Sequence, residues 1–190
     1  SRLRGVWLFV IATNDFKIIF TGPVGAGKTT AINAISDIPP VRTDESASDQ
    51  TRQIKPKTTV AMDYGIMYLN DTERVHLYGT PGQERFDFMW DILTKNGIGL
   101  VLLISNTRPN PFKDLRFFLE AFKQFINDTK VVVGVTQMDL KTDPLIADYN
   151  KFLRANRPRI PVFEVDARSP RDVALMIESL LYSLDLQVEL

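Results

Sequence analysis

Phe16-Lys-Ile-Ile-Phe-Thr21 runs into Gly22-Pro23-Val24-Gly25-Ala26-Gly27-Lys28-Thr29, and a helical pattern follows over Thr29–Ser36. Residues 22–29 fill every fixed position of G-x-x-x-x-G-K-[ST], the glycine-rich loop that carries phosphates between a strand and a helix. Each part has a physical reason. Glycines let backbone N–H groups curl around a phosphate with no Cβ in the way. Lys28 brings a point charge to the β- and γ-phosphates, and the Thr29 hydroxyl is suited to ligate Mg²⁺. The helix that starts here directs its positive end at the anion. Gly22, Val24, Gly25, Ala26, Gly27, Lys28, Thr29 and Thr30 are the candidate phosphate-binding residues of a nucleoside-triphosphate site. The loop does not choose the nucleotide, nor does it choose among a kinase, a motor and a switch.

Working outward, strands and helices alternate. The first helix stops before Pro39-Pro40, which cannot continue it, and residues 37–57 read as a long polar loop. Thr59–Leu69 and Arg74–Tyr78 read as two strands joined at Asn70-Asp71 in a hairpin. Residues 98–104 and 131–135 are nearly unbroken apolar runs, the mark of strands buried on both faces of a parallel sheet. Phe112–Ile126 carries apolar residues at helical spacing, and a further helix is expected over Pro144–Ala155. Val162–Val165 is the last strand. Pro170–Leu184 is the last helix, started by Ser169 with Pro170 at its first position. The expected fold is a three-layer α/β P-loop NTPase with a mostly parallel six-stranded sheet and one antiparallel edge strand.

Composition narrows the function classes. The 190 residues suit about one domain on a prior of roughly 100–200 residues per domain. Lys+Arg and Asp+Glu number 23 each, so the formal net charge of +0 argues against nucleic acid as a partner. With 44% hydrophobic residues there is material for a core. The absence of cysteine excludes thiolate metal sites and a cysteine nucleophile, and a single histidine, His76, cannot build a multi-histidine metal site. His76 lies between Val75 and Leu77 on a strand and points opposite to them, which predicts a surface or helix-covered position. No apolar run reaches the roughly 20 residues of a membrane-spanning helix. Ser1-Arg-Leu-Arg4 and the apolar stretch after it copy the front of a signal peptide, but no small-x-small cleavage pattern follows. A cytoplasmic protein is expected. Residues 1–13 are read as an N-terminal extension, either of artificial origin or an extra segment such as an edge strand or partner-binding arm.

Further motifs carry a resemblance. Leu77-Tyr-Gly-Thr-Pro-Gly82-Gln83-Glu-Arg-Phe86 is similar to the D-x-x-G-Q-E segment, called switch II, of the Ras-like small GTPases. Thr59-Val-Ala-Met-Asp63-Tyr64 resembles the T-I-G-V-D-F of switch I in the Rab branch. Thr136-Gln-Met-Asp139 falls where that family has N-K-x-D, and Glu164-Val-Asp-Ala167-Arg168 where it has E-x-S-A-K. The motifs keep family order and cover essentially residues 16–184, so the predicted Ras-like GTPase domain is 14–190. The Gly-Thr-Pro-Gly-Gln form of switch II points more narrowly to prokaryotic Ras-like GTPases grouped with the bacterial polarity and gliding-motility switch.

The resemblance implies roles, residue by residue. Thr29 and Thr59 complete the Mg²⁺ site, the Gly82 N–H bonds the γ-phosphate, and Gln83 orients the attacking water as the catalytic residue. Asp139 accepts from guanine N1 and the exocyclic amine, a donor pair that adenine lacks. Ala167 N–H bonds guanine O6, Asp166 and Arg168 shape that loop, and Thr136 and Gln137 line the base. GTP and GDP are the expected substrate and product, and a small roadblock/longin-type protein is the expected partner at the switch face. Three departures qualify this. Gly79 stands where the family has a Mg²⁺-holding Asp, which predicts a looser metal. Thr136-Gln137 replaces Asn-Lys, and Val24 would crowd a partner's arginine. An internal arginine, Arg52 or Arg85, is then a candidate catalytic aid. Phe86, Phe88, Met89 and Trp90 exceed one helical face, so packing and partner binding are both open. A nucleotide-responsive scaffold with negligible hydrolysis is the alternative function, and a P-loop kinase or ATPase a third.

Overall fold

The computed structural model describes residues 14–39, 41–42, 63–81 and 94–185. Its elements are β1 (Asn14–Thr21), α1 (Lys28–Ile35), β2 (Val41–Arg42), β3 (Asp63–Tyr68), β4 (Glu73–Gly79), β5 (Gly99–Ser105), α2 (Pro111–Ala121), α3 (Lys123–Asp128), β6 (Lys130–Thr136), α4 (Ile146–Asn156), β7 (Val162–Glu164) and α5 (Pro170–Asp185).

The strands lie in the order β2-β3-β4-β1-β5-β6-β7. β1 is parallel to both β4 and β5, and the parallel ladder continues through β6 to β7. β3 runs antiparallel to β4, as the hairpin predicts. The turn is held by Asn70, whose Oδ1 accepts from the N–H groups of Thr72 and Glu73 at 2.9 Å each. The six predicted strands are all present. The two-residue β2 pairs with β3 through Val41↔Tyr64 and Arg42↔Asp63 and widens the antiparallel side.

Two cores make the three layers. Alternation along β5 sends Leu100, Leu102 and Ile104 to one face, with Leu115, Phe118 and Leu119 of α2 and Tyr149 and Leu153 of α4. Val101 and Leu103 go to the other, against Ala31 and Ile32 of α1 and Val173, Met176 and Ile177 of α5. All seven β5 residues are buried, which is why this run reads as unbroken apolar rather than alternating. The single helix expected over 112–126 is two: Phe122, at φ −100° and ψ 14°, ends α2 and precedes α3. Asn110 starts α2, its side chain accepting from Lys113 N at 3.1 Å with Pro111 at the first helical position. The fourth helix begins at Ile146, later than expected, and Asp148 accepts from Leu145 N at 2.8 Å at its start. His76 is half-buried opposite the buried Val75 and Leu77, its Nδ1 2.7 Å from Tyr64 Oη.

Candidate functional site

β1, β6 and β7 deliver three loops to the carboxyl edge of the sheet, where ligands of open α/β sheets bind. The first is the phosphate loop. Gly22 turns the chain at φ +143°, and a Cβ there would lie 2.0 Å from the Leu103 carbonyl oxygen on β5. No other residue fits. Gly27, at φ +101°, sets α1 going, and a Cβ there would meet the Ala167 Cβ at 3.0 Å. The first loop is thereby pressed against the last one. Ala31 N donates to Gly27 O at 2.8 Å, and Ala26 is buried beneath the turn. Val24 is 59% exposed at the loop's outer edge, and Thr30 is exposed on α1.

Lys28 Nζ donates to the carbonyls of Gly22 and Pro23 at 2.7 and 2.8 Å, folded back under its own loop. Burial lowers its pKa to about 8, opposed in part by the nearby Asp63 carboxylate. A phosphate beside it would hold the charge on. Thr29 Oγ1 donates to Asp63 Oδ2 at 2.7 Å. Asp63, 3% exposed, opens β3 directly opposite Gly79 in the register. A Cβ on Gly79 would come within 3.2 Å of both Asp63 Cβ and Oδ2. Beyond Gly79, Thr80 is buried and doubly tied to β1: its N–H donates to Phe20 O at 2.9 Å, and its hydroxyl lies 2.7 Å from Thr21 Oγ1.

The second and third loops form a cavity of about 500 Å³ beside the phosphate loop, lined among others by Gly27, Thr30, Gln137, Asp139, Ala167 and Arg168. Thr136, buried at the end of β6, donates through Oγ1 to Ala26 O at 2.8 Å and so ties the end of β6 to the phosphate loop. Gln137 takes a left-handed φ of 60°. Its Oε1 accepts from Ser105 Oγ and from Thr107 Oγ1. Asp139 is well exposed, and Arg168 Nη2 stands 3.8 Å from its Oδ2. Arg168 grips Asp166 with two bonds of 2.9 Å, which holds the Asp166 carboxyl below its ordinary range and raises the guanidinium. The N–H groups of Asp166, Arg168 and Ser169 all donate within the protein, to Asp172, to the Asp166 side chain and to Asp166 O. That of Ala167 has no acceptor among the described residues.

Of the residues singled out in the sequence, Gly22 to Thr30 thus lie together, and Thr136, Gln137, Asp139, Asp166, Ala167 and Arg168 lie together beside them. Thr59, Gly82, Gln83, Arg52, Arg85, Phe86, Phe88, Met89 and Trp90, and residues 1–13, lie outside the described residues. Sequence reasoning missed three residues. Asp63 was quoted only as part of a motif. Thr80 was a variable position. Asn106, fully buried at the end of β5, donates to the carbonyls of Lys141 and Pro144 at 2.6 and 3.1 Å and accepts from Tyr149 Oη at 2.7 Å. A polar residue closing an apolar strand was its only signal. Among the described residues, no group of three or more His, Cys, Asp or Glu could hold a metal. Mg²⁺ does not need one, since it is commonly held by one or two carboxylates, water and substrate phosphates. The paired oxygens of Thr29 and Asp63 at the phosphate loop are a fitting hard-donor set.

A glycine-rich phosphate loop stands beside a cavity and is tethered to its wall through Thr136, and comparison with known proteins points to nucleotide binding. Residues 20–188 match the family described as conserved hypothetical ATP binding proteins. The chain belongs to that family. It is also similar to the uncharacterised protein MJ1339 of Methanocaldococcus jannaschii, 30% identical over 48% of this chain and 51% of that protein. Ras-related protein Rab-27A of Sus scrofa is 26% identical over 87% of this chain and 76% of its own length. GTP-binding protein YPT1 of Saccharomyces cerevisiae is 24% identical over 83% and 73%. The chain spans about half the length of the Methanocaldococcus protein. Its fold is the Ras-like P-loop fold, and its curated similarities lie with Ras-related small GTPases. No helix among the described residues is long and apolar enough to cross a membrane.

Proposed function

We propose that this chain is a guanine-nucleotide switch that binds GTP and GDP with Mg²⁺ and hydrolyses GTP slowly, in the cytoplasm. The observation that carries the guanine reading is the exposed Asp139 carboxylate in a cavity also lined by Ala167, whose N–H has no protein acceptor among the described residues. A carboxylate only accepts, and guanine offers it two donors while its O6 accepts from an N–H. The likeness to Rab-27A and YPT1 supports the same reading. Residues 14–190 serve as the switch domain, with 1–13 as an extension.

Lys28 neutralises the β/γ-phosphates, and Mg²⁺, when bound, supplies further neutralisation of charge there. Thr29 and Thr59 hold the metal, the Gly82 N–H bonds the γ-phosphate, and Gln83 orients the water that attacks it. Arg52 or Arg85 is the internal arginine that speeds this step. Unassisted turnover is on the order of 10⁻³ s⁻¹ or below. A roadblock/longin-type partner binds the switch face and stimulates it, a reading supported by the resemblance of the Gly-Thr-Pro-Gly-Gln segment to that of bacterial polarity and gliding-motility GTPases.

The family's description as ATP binding favours a second reading in which adenine occupies the cavity. Calorimetry with GDP, GTP and ATP decides between them. GTP is expected to bind at least about tenfold more tightly than ATP, and Asp139→Ala to erase the preference, since a hydrogen bond to a charged group contributes about 1.5–3 kcal/mol. Equal affinities unaffected by Asp139→Ala would establish the adenine reading.

A further inference from the structure

A second cavity, of about 580 Å³, lies at the amino edge of the sheet, away from the phosphate loop. It is lined by Lys130, the first residue of β6, whose last residue Thr136 reaches Ala26 O. β6 has seven residues, so at about 3.3 Å per residue its two ends stand about 20 Å apart. The other walls are the 157–161 loop between α4 and β7 and the last turn of α5. Three cations line the cavity, Lys130, Arg157 and Arg159, and no carboxylate among the described residues does. Asp128, the acid nearest to Lys130 in sequence, accepts from Gln124 Nε2 at 3.0 Å. The neutral donors of the walls are already committed. Thr129 Oγ1 donates to Phe125 O at 2.6 Å, Ser183 Oγ to Ser179 O at 2.9 Å, and Asn156 Nδ2 to Phe152 O at 2.7 Å. The cationic heads are not committed. Among the described residues none of the three is in an ion pair, and none donates to a helix-end carbonyl, although α3, α4 and α5 all end here.

We propose that this cavity is a binding site for a small organic phosphate, separate from the nucleotide site. Cations gathered around one cavity without a counter-charge repel one another, and an anion set between them replaces repulsion with attraction. Three positive charges suit a phosphate ester, which carries about 1.5 to 2 negative charges near neutral pH and offers three acceptor oxygens. Arginine forks match phosphate oxygens in pairs, and a lysine adds a point charge. A carboxylate brings a single charge and would leave cations unanswered. The remaining walls select the rest of the ligand. Ile126, Val131, Ile160 and Pro161 are apolar, so an apolar group joined to the phosphate gains by leaving water for them. The volume falls within the roughly 300–1,000 Å³ of small-molecule pockets. None of these residues belongs to the phosphate loop or its neighbouring cavity, so the site stands whichever base is bound there.

The test titrates phenyl phosphate into the isotope-labelled full chain and follows backbone amides by NMR, which reads this cavity and the phosphate loop separately. Saturable shifts are expected at the amides of Lys130, Arg159 and Ile160. The double variant Arg157→Gln with Arg159→Gln should weaken this binding at least about tenfold, because it removes two charge-assisted partners of the phosphate. Arg157 is half-buried, so Arg159→Glu, at an exposed position, is the second variant. It reverses one charge without disturbing the packing, and should abolish the shifts while the melting temperature stays unchanged. Benzoate keeps the ring with a single charge, and inorganic phosphate keeps the charge without the ring; both should bind several-fold more weakly than phenyl phosphate. Shifts that do not saturate, that are confined to the phosphate loop, or that survive Arg159→Glu overturn the proposal. Benzoate or inorganic phosphate bound as tightly as phenyl phosphate overturns the choice of an organic phosphate.

Discussion

Two glycines of the phosphate loop differ sharply in what an added methyl group would meet. Gly22 and Gly25 both have positive φ, +143° and +83°. A Cβ on Gly25 meets nothing within 4 Å, whereas one on Gly22 lies 2.0 Å from Leu103 O. Gly25→Ala therefore carries only the cost of a left-handed conformation, about 1–2 kcal/mol. In Gly22→Ala the loop must retreat by about 1 Å from a carbonyl in the middle of the sheet, because packed interiors do not yield. Leu103 is fully buried and pairs with Gly134 across β6. Overpacking of this kind costs about 1–3 kcal/mol, and each ladder hydrogen bond disturbed adds about 1 kcal/mol. The total of about 3–5 kcal/mol corresponds to a fall in melting temperature of about 6–20 °C, at roughly 2–4 °C per kcal/mol for a chain of this size. Scanning calorimetry of the two variants measures the difference. Equal shifts for Gly22→Ala and Gly25→Ala would refute the packing argument.

Three other outcomes follow from particular bonds. Thr136→Val keeps the shape of the side chain but leaves Ala26 O without its partner, and should cost about 1–3 kcal/mol in a melt and weaken nucleotide binding measured by calorimetry. Tyr149→Phe removes the donor to Asn106 Oδ1 in a fully buried pair, with an expected loss of about 1–3 kcal/mol in urea unfolding. Arg74 holds Asp15 through bonds of 2.9 and 3.1 Å, which lowers its carboxyl below the ordinary carboxylate range with His76 assisting. The folded-state value is depressed, so the pair's contribution is present above the unfolded carboxylate's pKa and is lost as pH falls through the folded one. Arg74→Ala should move the Asp15 titration upward in an NMR experiment.

Local chemistry and periodicity made most of the fold legible. The phosphate loop declares itself because its spacing is a backbone requirement, and β5 and β6 because strands buried on both faces leave no polar alternation. Asn70 and Asn110 mark a turn and a helix start through bonds to residues two or three positions away. What was not legible is set by contacts across the chain. At the break, Phe122 is buried in the core between α2 and α3, and α4 starts at a bond from Leu145 N to Asp148. Asn106 sits 35 residues from one of its partners and 43 from another.

Position 79 carries this difference furthest. In one dimension, Gly79 is the loss of a charged residue and implies a weakened metal site. In three dimensions it lies opposite Asp63, 16 positions earlier, and the missing side chain is what admits the other carboxylate to Thr29. A substitution at a site strand therefore has no fixed meaning until its cross-strand partner is known, since directly opposed residues on one face share a single volume. The same reasoning applies to Thr136. It is shorter than the asparagine of the family pattern, and its hydroxyl reaches Ala26 O at 2.8 Å. That bond ties the end of β6 to the phosphate loop. Both departures from the Ras-like pattern leave an oxygen at the phosphate loop, the Asp63 carboxylate on the Thr29 hydroxyl and the Thr136 hydroxyl on the Ala26 carbonyl, and the position of each is set by the fold rather than by the residue number supplying it.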